Sequence, residues 1–421
     1  MNIRAEPADH GADASSITPC ASTIGVARRA GWRGALALLR GPLLVALGGY
    51  SVTLVMLLRM FDSNPTGPIH IGDVFEGQRF WTESTRIERG GVGYDGQFFF
   101  YLAHDPLLRD PRPDEFLDRP AYRYARILYP TVVWAVSLGR PDVIPWALLG
   151  VNLIAGLVGT ALVVGVLNSL GKNRWLALAY AFSPPILIGL ITDLAEPLAC
   201  ALIAGGIALH LRSRHGWAGT ILAFATLARE VSLVIPLTFA AHAAFHRAWR
   251  EALGYLLPSA LPVAWHLLLW ARFGVLPSIQ SPPNFGAPFS GALYRLGTLL
   301  HYEPPVFGEP APSGDAFLEV AGIGLTMALI VVSLLKLLTR RDVFAVQLWV
   351  QATLALFTAP LVWLDIHSHG RVLGMLVLFY GLALLAAPRR IPRSRCVVQT
   401  VSDVQAASRG GDRPPASAVS L

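Results

Sequence analysis

Long apolar runs separated by short charged turns set the pattern of this chain. The runs cover residues 42–60, 127–138, 143–167, 175–191, 194–211, 217–241, 253–270, 317–338, 343–364 and 372–387. Most approach or exceed the roughly 20 residues that cross a hydrocarbon core. In lipid each segment must satisfy its own backbone groups, so these runs are predicted as helices. The fold class follows as all-α, a polytopic helical membrane bundle. The run 127–138 is too short to cross and is expected to lie at half depth. In the middle of 217–241 stands Arg229-Glu230, which reads as a cavity ion pair at the tip of a hairpin that enters and returns.

Basic residues then decide which side each turn faces. They cluster at Arg28/Arg29/Arg33/Arg40, Lys172/Arg174, Arg212/Arg214, Arg247/Arg250, Lys336/Arg340/Arg341 and Arg389/Arg390/Arg393/Arg395. If all ten runs crossed, Lys172/Arg174 and Arg212/Arg214 would fall outside. With two half-depth elements, about eight spans remain and every cluster lies on the cytoplasmic side. Residues 1–41 then form a disordered cytoplasmic tail, 42–388 the transmembrane domain, and 389–421 a disordered basic cytoplasmic tail. The first run is too long for a signal-peptide core, and no small-residue cleavage site follows it, so it is expected to stay as an anchor. On the outer side fall a polar loop at 61–126, the turn 192–197, a Pro- and aromatic-rich loop at 273–316 and the turn 365–371.

Composition agrees with this layout. Hydrophobic residues make up 53% of the 421 and charged residues 14%, with mean hydropathy +0.50, whereas a soluble domain carries about 25% charged residues. A net charge of +7 and a pI near 9.6 could signal nucleic-acid binding. The basic residues sit instead in short turns between apolar runs, where they set topology, so no nucleic-acid partner is expected. Cys20, Cys200 and Cys396 show no paired spacing, hence no disulfide framework or metal knuckle. No Walker-type loop, HExxH or Gly-x-Ser-x-Gly occurs, which argues against an ATPase, a zincin or a serine hydrolase. Nor is there an internal repeat of the kind found in many transporters.

The most unusual string is Gly93-Tyr94-Asp95-Gly96-Gln97-Phe98-Phe99-Phe100-Tyr101-Leu102-Ala103-His104-Asp105-Pro106. An acid between a tyrosine and a glycine, followed at once by aromatic residues, reads as a turn leading into an interfacial helix, since aromatic rings favour the membrane–water boundary. Asp95 would stand just above the lipid and could accept a proton; the plainer reading is an Asp-Gly turn that starts a helix. Asp193 and Glu196 lie three apart and could share a helical face to hold an acceptor hydroxyl or a metal, or they could simply favour the helix start at Pro197. Two carboxylates without a third ligand make a weak metal site, so the metal is unknown and a divalent cation (Mg²⁺ or Mn²⁺) stays open as cofactor. Arg371, with His367 and His369, is a candidate for phosphate, which suits a guanidinium; Arg123 and Arg126 are rivals for that role. His104 and Asp105 are expected to end the aromatic helix, and His246 to sit in an inner turn without chemistry.

The same string resembles the "GYDGQFYY…DP" signature of bacterial cell-surface glycopolymer-formation membrane proteins, a branch of the C-type (GT-C) glycosyltransferase superfamily. Arg126-Ile127-Leu128-Tyr129-Pro130 and Leu227-Ala228-Arg229-Glu230-Val231-Ser232 fit the same group, and the likeness spans roughly residues 61–274. Tyr94, Gly96 and Gln97 support the match, while Phe99 and Phe100 replace tyrosines common there. The resemblance implies a catalytic acid in the first outer loop, matched by Asp95, and an acidic motif in the second, matched by Asp193 and Glu196. It also implies a lipid-linked sugar donor, membrane lipid and a glycan or glycolipid acceptor as partners. The expected activity is inverting transfer of a sugar from a polyprenyl-phosphate donor, with Asp95 as general base and arginines offsetting the phosphate, at the outer face of a bacterial inner membrane. Two rivals remain: a transporter or flippase of lipid-linked saccharide, and a non-catalytic partner of a glycosyltransferase.

Overall fold

Among the described residues the apolar runs fold largely as helices. A computed structural model describes residues 32–75, 77–301, 313–339 and 341–363, with 370 and 374, all within the unit Met1–Leu385. In chain order the helices are α1 Trp32–Met60, α2 Asp95–His104, α3 Pro120–Tyr124, α4 Leu128–Ser137 and α5 Ile144–Ser169. Next come α6 Ala177–Ala181, α7 Pro184–Ile191, α8 Glu196–His210, α9 His215–Ala228 and α10 Val234–Phe245. The last five are α11 Trp249–Phe273, α12 Pro277–Gln280, α13 Ser290–His301, α14 Ser313–Thr339 and α15 Val343–Leu356. The all-α expectation holds. The one sheet among the described residues is a parallel pair of two-residue strands, β1 Ile71–Gly72 and β2 Ile87–Glu88, with Ile71 opposite Ile87.

Several boundaries differ from the sequence reading. Helix α1 starts at Trp32, so the polar tail ends before residue 41 and Pro42 lies inside the helix. A proline costs one backbone bond there, a loss that helices packed in or against lipid absorb. The 273–316 loop is partly helical, through α12 and α13. The run 343–364 breaks after Leu356, where Gly286 N–H donates to Phe357 O at 2.8 Å and Ala359 N–H to Asn284 O at 2.9 Å. The Pro-rich segment thus ties itself to the broken end of α15. The tail 389–421 and the run 372–387 lie outside the described residues.

Three described helices are long and apolar enough to cross a membrane, at Leu39–Met60, Ile144–Ser169 and Trp249–Phe273. A fourth results if α7 continues the preceding segment, Arg174–Ala181, across a 46° bend. Among the described residues Pro184-Pro185 at the start of α7 bends one run, and α4, α8 and α15 are apolar helices of 10–17 residues. Helix α4, at ten residues, spans about 15 Å and is too short to cross. Leu44, Met56, Leu257 and Leu267 on α1 and α11 are exposed, as expected of helices that face lipid rather than water.

Helix directions follow from side-chain contacts. Near the start of α5, the Asn152 amide donates to Gly189 O on α7 at 3.0 Å, and Leu162 on α5 reaches Gly205 on α8. Helices α5 and α8 therefore run the same way, which puts Lys172 and Arg212 at the same end. Tyr255 Oη, near the start of α11, lies 2.6 Å from His210 Nδ1 and 3.1 Å from His215 Nδ1. The His210 ring also sits 4.8 Å from that of Phe239 on α10. The start of α9 and the far part of α10 thus meet at one end, so the chain turns back at Arg229-Glu230. His242 Nε2 approaches Arg341 O at 3.1 Å, adding another basic residue to that end.

Candidate functional site

The opposite end holds Asp95, Arg123, Arg126, Arg229 and Glu230, five of the residues singled out by sequence. Gly93 has φ +68, and a side chain there would strike Gly72 N at 2.5 Å and His70 O at 2.6 Å, so glycine is required by both angle and space. Tyr94 N–H donates to His70 O at 2.9 Å. Gln97 bridges this turn, accepting from Gly72 N–H at 3.2 Å and donating to Val92 O at 2.7 Å. Asp95 is the first residue of α2, where a negative charge favours the helix dipole. Gly96 takes an ordinary backbone angle, yet a Cβ on it would lie 2.6 Å from Thr192 O and 2.8 Å from Ile69 O. The motif is thus a tight junction between the 61–126 loop and the turn before α8.

The aromatic stretch corrects an expectation. Phe98, Phe99, Phe100 and Tyr101 are each 4% exposed or less and pack with Ile69, Ile71, Phe116, Tyr124 and Tyr129. They form the core of the folded loop rather than a belt at the lipid boundary. As expected, Asp105 ends α2, its carboxylate accepting from Arg109 N–H at 3.0 Å and Asp110 N–H at 2.8 Å.

Three arginines gather behind Asp95. Arg123, on α3, donates to Asp95 at 2.8 Å and to both oxygens of Asp118, at 2.7 and 3.0 Å. Its guanidinium lies 3.7 Å from the Phe98 ring centroid, so charge and stacking both fix it. Arg126 makes a two-pronged pair with Glu230, at 2.7 Å on each oxygen, and also donates to Tyr122 Oη. Arg229 instead donates to Glu196 Oε1 at 2.6 Å. The expected Arg229–Glu230 pair is therefore not formed. Arg229 has extended angles, φ −151 and ψ 112, and a short 3-10 turn starts at Glu230, so the helix is broken at this point and each side chain meets a different partner.

Tyr94, Asp95, Arg123, Arg126, Arg229 and Glu230 line one cavity of about 660 Å³. Its other walls come from Ile203 on α8, Ile235 on α10, Leu354 and Ala355 on α15, and Leu361 and Val362 beyond it. Pro277, Ser281, Pro282 and Phe285 of the Pro-rich segment complete it. Charged groups in several ion pairs thus share one space with an apolar wall. Asp193 and Glu196 are not among the lining residues. Glu196 is 1% exposed and lies behind Arg229, while Asp193 is fully buried with both carboxylate oxygens unpartnered. Burial pushes the Asp193 carboxyl well above the usual carboxylate range. His367, His369 and Arg371 lie outside the described residues.

Sequence reasoning did not single out Asp118, Tyr122 or His266. Asp118 anchors Arg123, Tyr122 accepts from Arg126, and Tyr122 and His266 line the cavity. Ser232, in a quoted motif but given no role, also lines it, with its buried hydroxyl unpartnered. The position of Asp118, two residues before the first helical proline of α3, is the only local signal that it flanks a turn. The chain has no match among known families, curated proteins or solved structures.

Proposed function

We propose that the chain is an inverting glycosyltransferase of an inner membrane, moving a sugar from a polyprenyl-phosphate donor to a cell-envelope glycopolymer or glycolipid. What carries this reading is one cavity in which a carboxylate, Asp95, and arginines share a space with an apolar wall. Such a donor has an apolar chain, a phosphate and a reactive anomeric carbon, and each needs one of those surroundings. Asp95 takes the proton of the acceptor hydroxyl. That oxygen attacks the anomeric carbon as its bond to the phosphate oxygen breaks, and polyprenyl phosphate leaves with the electron pair. Arg126 and Arg229 offset the charge that grows on the phosphate, and a single displacement inverts the anomeric carbon. Arg123, fixed by Asp118 and Phe98, orients the base.

In this reading the basic turns and both termini face the cytoplasm, with about eight spans and two half-depth elements. The charged groups of the cavity collect toward one end of the bundle, and this supports transfer over transport, which would want them along a path through the midplane. The test is reconstitution of the full chain in lipid vesicles with synthetic polyprenyl-phosphate pentoses and hexoses and extracted envelope glycolipid as acceptor. Acceptor-dependent release of free polyprenyl phosphate is expected. Donors of both kinds left intact would count against the reading.

A further inference from the structure

We propose a second site, remote from the cavity and independent of the glycosyltransferase reading. His210, His215 and Glu251 bind a divalent transition-metal ion, zinc foremost, at the base of the α9–α10 hairpin. One donor atom from each of the three lies within 4.8 Å of the others. They come from three helices: His210 ends α8, His215 opens α9 and Glu251 lies in the first turn of α11. Tyr255, one turn beyond Glu251, faces both imidazoles, with its hydroxyl 2.6 Å from His210 Nδ1 and 3.1 Å from His215 Nδ1. His215 Nδ1 is in turn 3.6 Å from Glu251 Oε1.

Zinc bonds of 2.0–2.2 Å place tetrahedral donors about 3.3 Å apart, so the three donor atoms, now within 4.8 Å of one another, would draw closer by an ångström or so around an ion. Two imidazoles and a carboxylate suit zinc and its neighbours, whereas magnesium and calcium prefer all-oxygen cages. His215 and Glu251 keep about a quarter of their side-chain surface exposed, at 25% and 29%, so an ion can enter from the aqueous side. Bound there, it would fasten the entry of the hairpin whose tip carries Arg229 and Glu230. Tyr255 is the positioning residue that aims both imidazoles.

The full chain, purified in detergent and stripped with a chelator, would be titrated with zinc alone and with cobalt alone. One equivalent of zinc should bind and survive gel filtration, and cobalt should give the visible absorption of a tetrahedral nitrogen–oxygen site. His210→Gln with His215→Gln should abolish both, while Tyr255→Phe should weaken zinc about 10- to 100-fold, as loss of an orienting partner does. Glu251→Gln, nearly isosteric, gives a second reading if the histidine variant does not fold, and it should also weaken binding. Less than a stoichiometric ion in the stripped and reloaded wild type would overturn the proposal, and so would binding that these variants leave unchanged.

Discussion

Glu196→Gln should destabilise the bundle far more than a surface charge change would. Arg229 and Glu196 meet at 2.6 Å with side chains 8% and 1% exposed, so the amide leaves a guanidinium buried beside a neutral partner. Breaking such a pair from one side costs about 3–5 kcal/mol. A cooperative unit on the order of 300 residues has an unfolding entropy of about 0.6 kcal/mol/K. The apparent melting midpoint should therefore fall by about 5–8 °C. The assay is the monodisperse fraction left after heating the detergent-purified protein at a fixed rate, because unfolding of this class is commonly irreversible. Adding Arg229→Met removes the stranded charge and should recover most of the loss. A single variant within about 1 °C of wild type, or a double variant below the single one, would refute the reasoning that this pair is a buried charge couple.

Gly96→Ala should lower the midpoint and the amount of protein in the membrane, because its Cβ meets backbone oxygens at 2.6 and 2.8 Å and overpacking costs about 1–3 kcal/mol; normal abundance and melting would show that the junction yields. Burial raises the Asp193 carboxyl above its ordinary value of about 3.9, so the folded state favours the protonated form and is penalised as pH climbs from there toward the raised value. The wild type should therefore melt higher at pH 5 than at pH 8, and Asp193→Asn should remove much of that difference, the asparagine also tolerating φ 51 at this position; an unchanged difference would contradict it. Cysteines placed at Asn173 and Ser213 should be shielded from an impermeant thiol reagent in intact cells, while one at Ser281 is labelled once the outer barrier is opened; labelling of the first two would favour ten spans instead.

The apolar runs made the helices legible, and Asp95 before Gly96 marked the start of α2, because both signals are local. The charge partners were not legible. Arg126 and Glu230 stand 104 residues apart in sequence, and the adjacency of Arg229 and Glu230 suggested a pair where each instead takes a partner distant in the chain. Residues 98–101 show a different limit: a run of aromatic rings has the same hydrophobicity whether it faces lipid or the inside of a folded loop. Their burial depends on Ile69, Ile71 and Phe116 arriving from elsewhere in that loop. Asp118 escaped notice because nothing in its neighbours announces that it will clamp Arg123.

The central claim, that Asp95 is the base of a glycosyl transfer, meets its most direct test in the cells that carry this chain. Asp95→Asn keeps the shape of the side chain but removes the proton acceptor, and general base catalysis contributes roughly 100- to 10,000-fold. Surface glycopolymer, the lipid-linked donor and membrane abundance of the protein would be measured in the same cells. The account expects polymer to vanish and donor to accumulate while the protein stays at its wild-type level. Normal polymer made by a normally abundant Asp95→Asn protein would contradict it.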